Sequence, residues 1–377
     1  MKRLFFPATL GFLVATFGIA SGQQVVKYEG PDVSLEEKWS WALNEGSSRG
    51  SGSGFWVAYS VQRLMDENSY IATGMHFTGS VDNRTSLYDI IFENQPYAGA
   101  SADSSRKRRT GGLSMMSRGR KTIFKVMKDV AIMVFYSGGR NKVEDVQLAN
   151  MDLNVDLKKR PFVWLGPASD DVSFSNLEKI YRDVPLAELK ENIVNAIGVH
   201  QQSQGSFSFL VKILKSNEPV KARSQAAFWI GHQAKPEALG VLTEVAESND
   251  AREVREQTVF AISQIESDEA LVQLISLARK ANDSEVRRKA TFWLGQKASK
   301  KAVGALEDML ADDDDTEVQK HALIALAQMR GGSGVEKLIQ VAKAHPKLKI
   351  RKQAIMSLGN IDDPRAIEAL IEIARPK

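Results

Sequence analysis

Five histidines are the groups in this chain best suited to moving a proton or holding a metal near neutral pH: His76, His200, His232, His321 and His345. They are followed by Phe77, Gln201, Gln233, Ala322 and Pro346, so no His-Glu pair occurs. His200 and His232 both fall where a helix should end. Joint metal ligation is one reading of them, and ordinary turn histidines the other. The region ahead of residue 183 holds one histidine, so a serine or cysteine triad lacks its parts. Carboxylates are plentiful, but in no legible acid/base pair. Asp312 to Asp315 crowd four of them together, without the alternating spacing, glycine and distal glutamate of a calcium loop. That run reads as a solvated turn with one helix cap. No Gly-Lys-Ser/Thr occurs, so the glycine-rich stretch Asn44 to Gly54 is no phosphate cradle. Its composition predicts a flexible loop. No catalytic, cofactor-binding or metal-binding residue is therefore assigned.

Charge offers two binding candidates. The stretch Gly99 to Arg120 carries Arg106, Lys107, Arg108, Arg109, Arg118 and Arg120, with Lys121 adjacent and no acid after Asp103. Such a segment attracts anionic lipid headgroups or acidic polysaccharide; as a solvated insertion it contacts nothing specific. Leu113, Met115 and Met116 lie among its cations. The second candidate is a column, Arg223, Arg255, Arg287 and Arg351, with Gln319 in one place. It reads either as a ladder pairing with acids such as Asp250 and Asp283, or as a row of cations facing an acidic peptide. The whole chain has a formal charge of only +4, which gives no general field for nucleic acid.

These groups have to be positioned by three segments. Residues 1–22 begin Met-Lys-Arg, run apolar from Leu4 to Ala20 and end in small residues, the pattern of a secretory signal peptide. The expected location is periplasmic or secreted. The chain has no cysteine, which excludes disulfide staples, cysteine-type zinc centres and a lipidated cysteine at the cleavage site. Residues 23–182 read as a mostly β domain interrupted by the basic loop at 99–121. Strands are predicted at Phe55 to Val61, Tyr70 to Thr73, Leu87 to Phe92, Thr122 to Val126, Val130 to Tyr136, Val143 to Leu148 and Phe162 to Leu165. A short helix follows at Asn176 to Tyr181.

Residues 183–377 repeat every 32 positions. Gly231, Ser263, Gly295, Ala327 and Gly359 mark helix ends, where the glycines suit a left-handed stop. Ala226, Thr258, Ala290, Ala322 and Ala354 lie one turn earlier. Second helices carry the columns Leu239, Leu271, Val303, Val335, Ile367 and Leu242, Leu274, Leu306, Leu338, Leu370. Each unit is helix, turn, helix, and such a pair buries its apolar stripe only by stacking on a neighbour. An earlier, slipped copy ending its first helix at Gly198 brings the count to six. Trp229 and Trp293 share a further column. Trp293 lies on the stripe of Val286, which makes a core position the first reading and an exposed peptide-stacking pair the second.

The phrases VRRKATFWLG (Val286 to Gly295), VREQTVFAIS (Val254 to Ser263) and IRKQAIMSLG (Ile350 to Gly359) resemble short bacterial HEAT-like repeats of the phycobilin-lyase type. Phe162 to Gly166 and the helix after it look like the lead-in to the repeats of other exported HEAT-repeat proteins. The expected architecture is α+β and multidomain, a mostly β domain followed by an all-α solenoid of about six helix pairs. The HEAT-like deoxyhypusine hydroxylase holds di-iron through His-Glu pairs, and this chain has none. The resemblance therefore implies a scaffold. The expected role is a non-catalytic, exported adaptor binding a protein or peptide through its repeats. Rival roles are binding of anionic envelope material and, behind that, a HEAT-like enzyme. The last helix, Arg365 to Arg375, carries Ile367, Leu370, Ile371 and Ile373, which predicts weak self-association through that end.

Overall fold

The computed structural model describes residues 24–50, 52–73, 86–92, 124–137, 142–297, 299–312, 316–329 and 332–375. The leader, His76, the basic run Arg106 to Lys121 and Asp313 to Asp315 lie outside the described residues. The chain divides into two compact units, Met1–Ser206 and Phe207–Lys377. No helix among the described residues is long and apolar enough to cross a membrane.

The first unit contains β1 (Val25–Lys27), α1 (Leu35–Gly50), β2 (Phe55–Asp66), α2 (Leu87–Phe92), β3 (Lys125–Tyr136), β4 (Val143–Asn150), β5 (Phe162–Pro167), α3 (Asp170–Asp183) and α4 (Ala187–Gly198). One five-stranded sheet runs β1-β5-β2-β3-β4. β2 pairs antiparallel with β3, and β3 with β4, while β5 lies parallel between β1 and β2. The stretch Phe55 to Val61 is buried without a break, so both faces of the sheet are covered. Trp56, Ala58, Met133, Phe162 and Trp164 pack with Leu87 and Ile91 of α2 on one face. On the other, Tyr59 and Tyr136 meet Trp39 of α1, Phe55 stacks on Tyr136, and the Trp39 indole donates to the Tyr136 hydroxyl at 3.1 Å.

The structure corrects four local expectations here. Leu87 to Phe92 is a helix, because Ser86 and Asp89 cap each other's backbone N–H groups. A second capping box, Ser34 with Glu37, starts α1, which continues through Asn44 to Gly50 where a flexible loop was expected. Gly46 is there because a Cβ would overlap the Phe55 ring beneath the helix. Lys125 and Val126, from the run predicted at Thr122 to Val126, join the run predicted at Val130 to Tyr136 in the single strand β3. Tyr70 to Thr73 is no strand; it contributes only a bridge from Ala72 to Ala149.

The boundary between the units falls inside α5 (Gln204–Leu214). The second unit then alternates first helices α6 (Val220–Gln233), α8 (Arg252–Gln264), α10 (Ser284–Gln296), α12 (Thr316–Gln328) and α14 (Leu348–Gly359) with second helices α7 (Ala238–Ala246), α9 (Asp268–Lys280), α11 (Lys300–Asp312), α13 (Val335–Ala344) and α15 (Pro364–Ala374). Each first helix packs on the next first helix. The column Ala226, Thr258, Ala290, Ala322, Ala354 is wholly buried, as the period requires. In the second helices the expected column Leu242, Leu274, Leu306 and Leu338 is fully buried, and so are Ala238, Ala270, Ala302 and Ala366, one residue ahead of the half-buried Leu239, Leu271 and Val303 and the half-exposed Ile367. The glycines do not stop helices by a left-handed turn. Gly231 and Gly295 remain helical, and a Cβ on either would press into Ala261 or Ala325 of the next first helix. Their role is close approach, and the left-handed cap that does occur is Ala234, at φ 47°.

Candidate functional site

Polar side chains gather at two places, one in each unit. In the first, β2, α3 and the turn after α4 bring Tyr59, Ser173 and His200 together, all fully buried. The His200 Nδ1 lies 2.8 Å from the Ile197 carbonyl, which can only accept. That fixes the proton on Nδ1 and leaves Nε2 to accept from the Ser173 hydroxyl at 2.7 Å. Ser173 in turn accepts from the Tyr59 hydroxyl, also at 2.7 Å. Burial lowers the His200 pKa below its ordinary 6.5, so the ring is neutral at pH 7. Burial also raises the Tyr59 phenol.

Beside this chain Arg63 is buried on β2 and donates to the Val199 carbonyl at 2.7 Å. Desolvation pulls its guanidinium down to about 10, with Asp170 opposing the shift. The cation caps the C-terminal end of α4, where free carbonyls and the helix dipole favour it. Serine donating to histidine has the order of a nucleophile and its base, yet the pair is sealed and the serine oxygen is already engaged by Tyr59. The arrangement locks three elements together.

Gly46-Ser47-Ser48-Arg49-Gly50 also carries the letters of a nucleophile elbow. It lies in the last turns of α1 rather than between strand and helix, and Ser48 donates to the Glu45 carbonyl at 2.7 Å.

In the second unit the arginine column reaches sideways and backward. Arg223 pairs with Asp250 and donates to the Leu214 carbonyl at 3.1 Å. Arg255 pairs with Asp283 at 2.8 Å, and Asp283 also caps α10. Arg287 donates to the Ala281 carbonyl at 2.7 Å, and Arg351 to the His345 carbonyl at 2.6 Å. Gln319 keeps the pattern through the Leu310 carbonyl at 2.8 Å. Four of these five positions thus bond their first helix to the loop or helix end before it, while Arg255, and Arg223 through its second contact, reach forward to the acid ahead of the next first helix. Trp229 is buried, while Trp293 is half-buried and stacks on Phe260 with ring centroids 4.7 Å apart.

That stack belongs to a row the sequence reading did not single out. Phe228, Phe260, Phe292, Ile324 and Met356 recur at the repeat period, two residues after the buried alanine column. Two residues is about 200° on a helix, so the row faces away from the packed stripe. Phe292, Ile324 and Met356 are 41%, 38% and 64% exposed. One turn before them stand the cations Arg288, Lys320 and Lys352, and one turn after them the exposed amides Gln296, Gln328 and Asn360. On α6 and α8 the first row instead holds Ser224 and Glu256. Glu256 is bridged to Arg252 at 2.7 Å and Lys289 at 2.8 Å. A surface cavity of about 490 Å³ opens there over Phe260 and Trp293, rimmed by Glu253, Glu256 and Lys289. The signal for this row was present in the sequence: a period-32 apolar column at a register that repeat packing leaves outside.

The remaining histidines stand apart from any such grouping. His232 lies against the Phe228 ring with centroids 4.3 Å apart. Partial burial lowers the His321 pKa, with Arg288 adding to the shift. His345 approaches the Leu310 carbonyl at 3.3 Å. Both ring nitrogens of His200 are engaged. Among the described residues no cluster of three or more His, Asp or Glu could hold a metal ion.

Comparison with known proteins agrees with the repeat geometry. The family described as HEAT repeats matches residues 207–295, 271–343 and 303–377. No curated protein matches the chain. Among solved structures, human deoxyhypusine hydroxylase in complex with glycerol is 18% identical, covering 55% of this chain and 85% of its own, with a TM-score of 0.25. The complex of CpcE and CpcF of phycocyanin lyase from Nostoc sp. PCC7120 is 16% identical, covering 55% of this chain and 89% of that one, with a TM-score of 0.31. The C-terminal part of this protein, residues 207–377, is an array of HEAT repeats.

Proposed function

We propose that this protein is a non-catalytic scaffold that docks a protein or peptide segment on the outward face of its first helices. The observation that carries the reading is the exposed row Phe292, Ile324 and Met356, which recurs with the repeat on the side away from its buried alanine column. Apolar side chains held at regular intervals on a rigid array suit a partner that makes the same contact several times. The arginine column, once a candidate for this role, supports the frame instead. Selection of random peptides on the immobilised full chain tests the proposal. Enriched peptides should bind in solution and lose most of their affinity to Phe292→Ser/Met356→Ser. Enrichment that survives this double substitution removes the docking face.

A second reading is favoured by one observation, the seven cations from Arg106 to Lys121 with no acid among them. Attraction of an exported chain to anionic lipid or polysaccharide would follow. Vesicle binding should weaken with salt and vanish when residues 106–121 are deleted. Binding that is unchanged by the deletion ends this reading.

A further inference from the structure

We infer that α10, α12 and α14 cradle an extended peptide of polyproline II form, with one acidic and one apolar residue in every triplet. The inference rests on the docking reading above and names its occupant.

Three rows run across these helices in parallel. The spacing of packed helices is about 8–10 Å. A polyproline II chain rises about 3.1 Å per residue with three residues per turn, so every third side chain meets the next helix about 9 Å on. A β-strand returns to the same face after about 6.6 Å and falls out of step. An α-helical partner keeps its own backbone bonded and leaves nothing for an amide row. In a polyproline II chain every N–H and C=O is free. Gln296, Gln328 and Asn360 are exposed, and their amides make no side-chain hydrogen bond among the described residues. Each offers a donor and an acceptor suited to a peptide backbone.

Charge fixes the second residue of the triplet. On the solvent face of α12 and α14, Lys320, Lys349 and Lys352 stand against Glu317. Glu317 meets Lys320 at 2.7 Å and Lys349 at 3.8 Å, and Lys352 has no ion pair among the described residues. On α10, by contrast, Arg288 is drawn to Glu285. Unspent positive charge therefore increases from α10 to α14, alongside the exposure of Met356. A peptide carboxylate is best received over α14, with the apolar side chain lying on the middle row. The pattern stops at α10, because the cation row of α8 holds Glu256, which already binds Arg252 and Lys289 and offers a peptide carboxylate no partner.

A fluorescein-labelled nonapeptide of three Glu-Leu-Pro triplets, titrated into the full chain by fluorescence anisotropy, tests the inference. Saturable binding is expected. Lys352→Glu, Ile324→Ser and Gln328→Leu should each weaken it about tenfold, the effect of about 1.4 kcal/mol. All three residues are on the surface, and thermal melts should confirm that each variant folds as the parent does. A Lys-Leu-Pro nonapeptide, or a nonapeptide alternating Glu and Leu, should bind at least about tenfold more weakly. Equal binding of either control overturns the inference. So does a silent Glu-Leu-Pro peptide when random selection still enriches binders that depend on Phe292 and Met356, in which case the face stands and the occupant is wrong. If selection also enriches nothing, the docking reading falls with it.

Discussion

The first unit spends its polar groups inward and the second holds them outward. Tyr59, Ser173 and His200 form a directed chain of hydrogen bonds in full burial, with Arg63 closing a helix end beside it. In the repeats, Gln296, Gln328, Asn360 and Lys352 stand exposed with bonding capacity in reserve. The difference teaches how a residue type acquires a role. A serine next to a histidine is mere scaffolding when nothing can reach it, because buried polar groups must find partners within the fold. A glutamine, chemically inert, becomes a recognition group when a rigid array repeats it at the pitch of a ligand.

The largest test of this contrast is Arg63→Leu. It leaves carbonyls at the end of α4 buried without their donor, which should cost about 3 kcal/mol in denaturant unfolding. A loss below about 0.5 kcal/mol, the range of ordinary surface changes, would mean that the sealed cluster is not holding the first unit together. Next comes Gly295→Val, expected to cost about 2 kcal/mol by overpacking against Ala325. Gly359→Ala is its control. A Cβ there meets nothing, so the thermal midpoint should hold or rise. If the two substitutions behave alike, close approach is not the reason for the glycine column.

Acid sharpens the comparison further. The native pKa of His200 is lowered below the 6.5 of an unfolded chain, chiefly by burial, with Arg63 assisting and the Ile197 carbonyl, Asp170 and Asp171 opposing. The folded state thus binds this proton less readily than the unfolded one. Stability is fully present above pH 6.5 and declines as pH falls from there toward the native value, by up to about 1.4 kcal/mol per pH unit. Denaturant midpoints across this window should lose that component in His200→Asn. The smallest effect belongs to the open face. Met356→Ser should change stability by under about 0.5 kcal/mol while removing peptide binding. A large loss of stability would show that the row is core after all.

The repeats were legible because stacking imposes one period on both helices, and alanine and leucine columns record it directly. Their glycines were misjudged: small residues at a helix end suit a left-handed cap as well as a close neighbour, and only the neighbour's backbone decides between them. In the first unit Leu87 to Phe92 looks like a strand by composition, and the reciprocal cap of Ser86 with Asp89 makes it a helix. The same kind of cap turned half of a supposed loop into α1. The sealed cluster left no trace in the sequence, since Tyr59, Arg63, Ser173 and His200 share no spacing.

The amino-acid order alone determined that a sheet-bearing region precedes stacked helix pairs, because periods of two and of 32 residues are local and repeated. It did not determine which polar groups are sealed and which face outward. That was decided in three dimensions, where desolvation makes partners compulsory for buried groups and leaves the exposed ones their bonding capacity.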